Sequence, residues 1–190
     1  MPLSTSGIPY LPDGEIGVAA QHATVQRPAW QILLLFLLAF AAMHWGWTLA
    51  RGTTVERVVV EEATVRPAAA LVRWVDPSIA VSARGTSIVA PGGGLDIIRG
   101  CEGIDIMLIL AAAICAVPLT WRRRMIALAV GLPFVFALNQ ARIVTLFFAW
   151  RADRSLFETL HTLVLPVLLV IAVTAYVFAL VELDRAAPRH

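Results

Sequence analysis

Three side chains of this chain have types that do covalent chemistry, and each stands at an end of an apolar run or inside one. Cys101 lies in IIRGCEGIDIMLIL, between Gly100 and Gly103, with Arg99 before that pair and Glu102 directly after the thiol. Arg142 lies in LNQARIVTLF, one helical turn after Asn139. His161 lies in SLFETLH, one turn after Glu158. A thiolate is a nucleophile, an imidazole moves protons near neutral pH, and a guanidinium can hold a developing oxyanion. Plainer readings stand beside these. Free cysteines are mostly inert. Arg142 could snorkel to headgroups, although an arginine at a span centre costs about 2.5–3.5 kcal/mol and usually faces a bundle interior. Asn139 on the same face favours a polar pocket. Ser155 to Glu158 reads as a capping box, with Glu158 serving backbone donors; alternatively Glu158 orients His161 or pairs with Arg142. His44 and Cys115 read as packing residues.

The elements that must position these groups are membrane helices. Of 190 residues, 59% are hydrophobic and 15% charged, too apolar for an ordinary soluble domain. The apolar residues gather in runs at 30–50, about 104–119, 125–150 and 162–181. A span needs about 20 residues. The first and last runs suit that length, the second is short, and the third is long and carries Asn139, Gln140 and Arg142. The expectation is an all-α integral membrane helix bundle of about four transmembrane helices. The net charge of +2 gives no case for nucleic acid. Cys101 and Cys115, about 21 Å apart along a helix, are too distant for a disulfide.

The WRRRM turn at 121–125 belongs on the cytoplasmic side. With four spans, both termini are then cytoplasmic and loop 51–99 is external. Six arginines in that loop count against this, but long loops cross largely regardless of charge. Helical rise puts Cys101 about 31 Å and Arg142 about 26 Å from the arginine turn, and His161 about 30 Å from Val181 at the end of the last run. All three fall near the opposite membrane face.

The chain divides into a flexible cytoplasmic tail (1–28), a first span (29–50), an external segment (51–99), a core with three spans (100–182) and a cytoplasmic tail (183–190). Residues 1–28 carry no cleavable signal, so run 30–50 reads as an uncleaved anchor. Residues 53–75 read as an amphipathic surface helix interrupted near Pro67. IAVSA, TSIVA and LDII, separated by ARGT and PGGG, read as two or three short strands forming a hairpin that leads into Cys101. Such a hairpin either caps the bundle or holds an extended peptide by strand addition.

In order, GCEG at 100–103, LNQARIVTLF at 138–147 and LFETLH at 156–161 resemble the exosortase/archaeosortase family of membrane transpeptidases. The resemblance covers about residues 95–182. The family pattern is Cys-x-Gly, then Asn-x-x-Arg, then a histidine heading the next helix. The resemblance implies a sortase-like site outside the cytoplasmic (inner) membrane, with Cys101, Arg142 and His161 as its catalytic residues; from their positions in this chain, Asn139, Glu158 and Glu102 are read as supporting residues. It also implies membrane-anchored protein substrates bearing PEP-CTERM-type C-terminal sorting signals, and it implies no cofactor or metal. Many members carry Ser or Thr where this chain has Glu102. The Cys-Glu-Gly and Leu-Asn-Gln-Ala-Arg stretches look most like the compact subgroup called XrtM.

Two other readings fit the residues. One is a non-enzymatic membrane assembly partner with Arg142 as interhelical glue. The other is a zinc site built from Cys101, His161 and Asp105 or Glu158, which Arg142 would disfavour by repulsion. The oligomeric state and the acyl acceptor are not written in the residues.

Overall fold

The computed structural model describes residues 27–97 and 100–186. Most of the expected N-terminal tail, the last four residues and Arg99 lie outside them. Helix α1 spans Ala29–Ala50. The segment expected to be external follows, as α2 (Thr54–Arg57), a π-helical stretch (Val58–Val65), α3 (Arg66–Val75) and strands β1 (Ser82–Arg84), β2 (Ser87–Ala90) and β3 (Gly93–Asp96). The remainder is α4 (Ile104–Ala116), α5 (Trp121–Ala152), α6 (Arg154–Thr159), a second π-helical stretch (Leu160–Val164) and α7 (Leu165–Ala186). The strands form one antiparallel sheet in the order β1-β2-β3.

Among the described residues, three helical segments are long and apolar enough to cross a membrane: Ala29–Ala50, Trp121–Ala152 and Arg154–Ala186. The run expected to supply a fourth span forms a helix of only 13 residues, Ile104–Ala116. That is about 20 Å, against a hydrocarbon core of about 30 Å. Its start is set by Gly103, which has a left-handed backbone, and it stops ahead of Pro118, where the residue before a proline is driven into extended backbone. The fold is thus an all-α membrane bundle with a small three-stranded sheet.

The interruption expected near Pro67 does not occur. Pro67 and Pro166 each occupy the second position of an α-helix that continues from a π-helical stretch. A proline inside an α-helix collides with the carbonyl four residues back and offers it no N–H. Here the turn before each proline widens instead. Arg66 N–H bonds to Glu61 O, and Leu165 N–H bonds to Leu160 O, each five residues back. The helices therefore run through.

Two cores hold the molecule together. In the membrane part, Leu110 and Ile114 of α4 pack against Ala127 and Val135 of α5 and Val173 of α7. Tyr176 donates to Ala127 O at 2.7 Å, and Arg123 pairs with Asp184 where α5 begins and α7 ends. In the outer core, Val65, Ala68 and Val72 meet Ile88, Ile97 and Cys101 over Ile143 and Phe147 of α5. Helix α5, with 32 residues and about 48 Å long, outruns the hydrocarbon core, so its far end carries the segment from α2 to β3. Trp150 lies against Gly93, and Arg151 donates to Pro91 O at 3.0 Å.

Gly131 of α5 lies close against α4 and α7. A Cβ there would lie 2.9 Å from both Leu110 Cδ2 and Tyr176 Cε1. Gly131→Val should overpack this crossing and cost about 1–3 kcal/mol, read as a lower midpoint of thermal unfolding in detergent.

Candidate active site

Each of the three chemical groups arrives on a different element. Cys101 stands in the loop ahead of α4, Arg142 on the outer half of α5, and His161 in the second π-helical stretch. Cys101 Sγ lies 3.8 Å from His161 Nδ1 and 3.9 Å from Arg142 Nη2. The thiol and the guanidinium are buried, and the imidazole is half-buried.

Asn139 fixes the loop. Its Nδ2 donates to Glu102 O at 3.0 Å and to Cys101 O at 3.4 Å. These carbonyls precede the helix and have no place in its ladder, so a buried donor must satisfy them. Gly103 makes the approach possible. A Cβ there would stand 2.5 Å from Asn139 Cγ, and its φ of +80° disfavours any other residue. Arg142 follows Asn139 by one turn of the same helix. The residue that grips the loop and the residue that faces the thiol are therefore rigidly related.

Phe157 positions the imidazole. Its ring stacks on His161 at 5.4 Å between centroids and 8° between planes. The expected capping box is not formed. Asp153 caps α6, accepting from Ser155 N–H and from Leu156 N–H at 3.1 Å, so Ser155 is a recipient of the cap. Glu158 faces Arg154 at 3.6 Å and meets neither a helix-terminal donor nor Arg142. It does line the thiol's cavity, a space of about 240 Å³ walled by Leu95, Asp96 and Ile97 on one side and Phe157 and His161 on the other. The contribution of Phe157 was missed in the sequence; its signal is the one-turn spacing to His161.

Glu102 is 6% exposed. Its carboxylate accepts Gly100 N–H and lines a second, more open cavity of about 610 Å³ with Glu56, Arg57 and Glu61. The thiol loop thus separates two spaces, with Ile97 in the wall of both. His44, read from the sequence as a packing residue, lies 3.5 Å from Asp105 across α1 and α4. Among the described residues, no three His, Cys, Asp or Glu side chains converge as a metal set.

Burial pushes the Cys101 thiol above its ordinary pKa; the Arg142 charge pulls it down and the Glu102 charge pushes it up. Burial is the largest of these causes.

A family model described as transmembrane exosortase matches residues 18–179, and the chain belongs to that family. No curated protein and no solved structure matches it.

Removing the Glu102 charge should shift the alkylation profile of Cys101 to lower pH. Glu102→Thr is the variant, and the rate of reaction with a small thiol reagent against pH is the measure. Arg142→Gln should move the same profile to higher pH. An unchanged profile in both would mean that neither charge reaches the thiol.

Proposed function

We propose that this exosortase is a cysteine transpeptidase that cleaves C-terminal sorting signals of membrane-anchored proteins through a thioester. The observation that carries the reading is the position of one thiol within 4 Å of both an imidazole and a guanidinium, each from a separate element.

A thiol held above its ordinary pKa rests protonated at neutral pH. It therefore needs a base when substrate arrives, and His161 Nδ1 is the base within reach. The sulfur attacks the scissile carbonyl, and the C–S bond forms as the carbonyl oxygen becomes an oxyanion. Arg142 supplies the charge that stabilises it. The imidazolium then returns its proton to the leaving nitrogen, the C–N bond breaks, and a thioester to Cys101 remains. An acceptor nucleophile resolves the thioester and gives its proton back to His161. Asn139 and Gly103 act through the loop and do not touch the reacting atoms.

The site is expected to face away from the cytoplasm, in the cytoplasmic (inner) membrane. The support is the arginine turn: Arg122–Arg124 stand at the start of α5 and the triad near its other end. A membrane-impermeant thiol reagent on intact cells should label Cys101 and spare Cys115. Labelling of Cys101 only after the cells are opened would reverse the orientation.

Cys101→Ala should abolish processing of a co-expressed sorting-signal protein while still inserting, whereas Cys115→Ala should process normally. Arg142→Ala should lower kcat by about 100- to 1000-fold. Wild-type protein should yield a hydroxylamine-sensitive adduct with its substrate. Normal processing by Cys101→Ala would end the enzyme reading and favour an assembly role.

A further inference from the structure

We infer that the free edge of β3 receives the extended segment of the substrate as a fourth strand, and so delivers the scissile carbonyl to Cys101. This rests on the transpeptidase reading above.

Strand β3 pairs only with β2, in the register Ser87↔Asp96 and Ile88↔Leu95. Ile97 N–H continues the ladder to Thr86 O at 2.9 Å. In an antiparallel pair, successive residues turn their backbone groups to opposite sides. Ile97 faces β2, so Leu95 and Gly93 do too. Gly94 and Asp96 therefore send their N–H and C=O groups outward. Both residues are exposed, and among the described residues these backbone groups have no partner. Edge strands are commonly blunted by lysine, proline or a bulge. GGLD has no lysine, proline or bulge, and its one charge, Asp96, is tied back to Ser87 Oγ of β2.

The edge leads into the site. Leu95, Asp96 and Ile97 form one wall of the Cys101 cavity, opposite Phe157 and His161. A chain paired at Asp96 would pass between these walls within a few residues. Its direction follows from topology. Strand β3 runs toward the loop that enters α4, and a substrate whose extended segment precedes its membrane helix must run the same way. Pairing is therefore parallel. Alternate substrate amides bond to β3, and alternate side chains enter the apolar cavity.

The test compares two substitutions in the full-length protein in lipid nanodiscs. Asp96→Pro and Asp96→Ala both delete the carboxylate, but only the proline deletes the outward N–H. Because that N–H does not face β2, the sheet ladder stays intact, and an edge tolerates proline. Asp96→Pro should lose about 3- to 10-fold more kcat/KM than Asp96→Ala, with equal rates of Cys101 alkylation by a small reagent. A second arm varies the ligand. A synthetic peptide spanning the extended segment and first membrane turn of a sorting signal carries one backbone N-methyl group, moved residue by residue. The rise in KM should alternate with a period of two. Equal losses in the two variants, or an even methyl series, overturns the strand addition while leaving the thiol chemistry standing. Absence of any thioester with the unmethylated peptide and with a whole sorting-signal protein sinks the transpeptidase reading itself, and this inference with it.

Discussion

The site depends on one buried amide. Asn139 Nδ2 reaches the carbonyls of Cys101 and Glu102, which the start of α4 leaves without helical partners. Losing such a donor leaves buried carbonyls unsatisfied, at about 1–3 kcal/mol each. The grip also transmits position. Helix α5 fixes Asn139, Asn139 fixes the loop, and Arg142 projects from the same helix toward the sulfur. The spacing between asparagine and arginine is then a distance between a clamp and a charge. Gly103 belongs to the same device, because its missing side chain is the space that the amide occupies.

Much of this was legible before any coordinates. Helical rise alone brought Cys101, Arg142 and His161 to one level, because a span of known pitch converts residue number into depth. The one-turn spacing of Asn139 and Arg142 put both on one face. The glycine-separated strands were legible because turn residues punctuate them at short intervals. The failures have physical causes. A π-turn adds one residue to a helical ring, and apolar periodicity is too coarse to register it. Pro67 therefore looked like a break. The capping error came from two acceptors in succession, Asp153 and Ser155. Both suit a cap, but Asp153 takes the Ser155 N–H and so places the helix start earlier. The short α4 was visible as a short run, but the sequence could not show that its loop would serve as the mouth of the site.

The second π-turn has a consequence beyond accommodating Pro166. It holds His161 directly, between α6 and α7. A ring closed five residues back makes a wider turn, and its side chains no longer follow the α-helical rows. Phe157, still on the α-helical side, remains close enough to stack on the imidazole. The proline is thus compatible with a continuous span, and the same wide turn carries the histidine whose ring must face a thiol on another element.

Glu102 ties the geometry of the loop to the acidity of its thiol. Its carboxylate accepts Gly100 N–H, which braces the loop from the side away from the Cys101 cavity. The same charge opposes Arg142 by raising the thiol's pKa. A threonine in its place would keep a short-range acceptor and lose the charge. The chain therefore combines a firm loop with a more protonated resting sulfur. A neutral thiol reacts slowly with adventitious electrophiles and oxidants, since the thiolate is the reactive form. On the proposed mechanism activation falls to His161, whose ring lies 3.8 Å from the sulfur and would take its proton once a carbonyl is bound. Substrate binding, rather than a standing ion pair, would then set when the nucleophile forms.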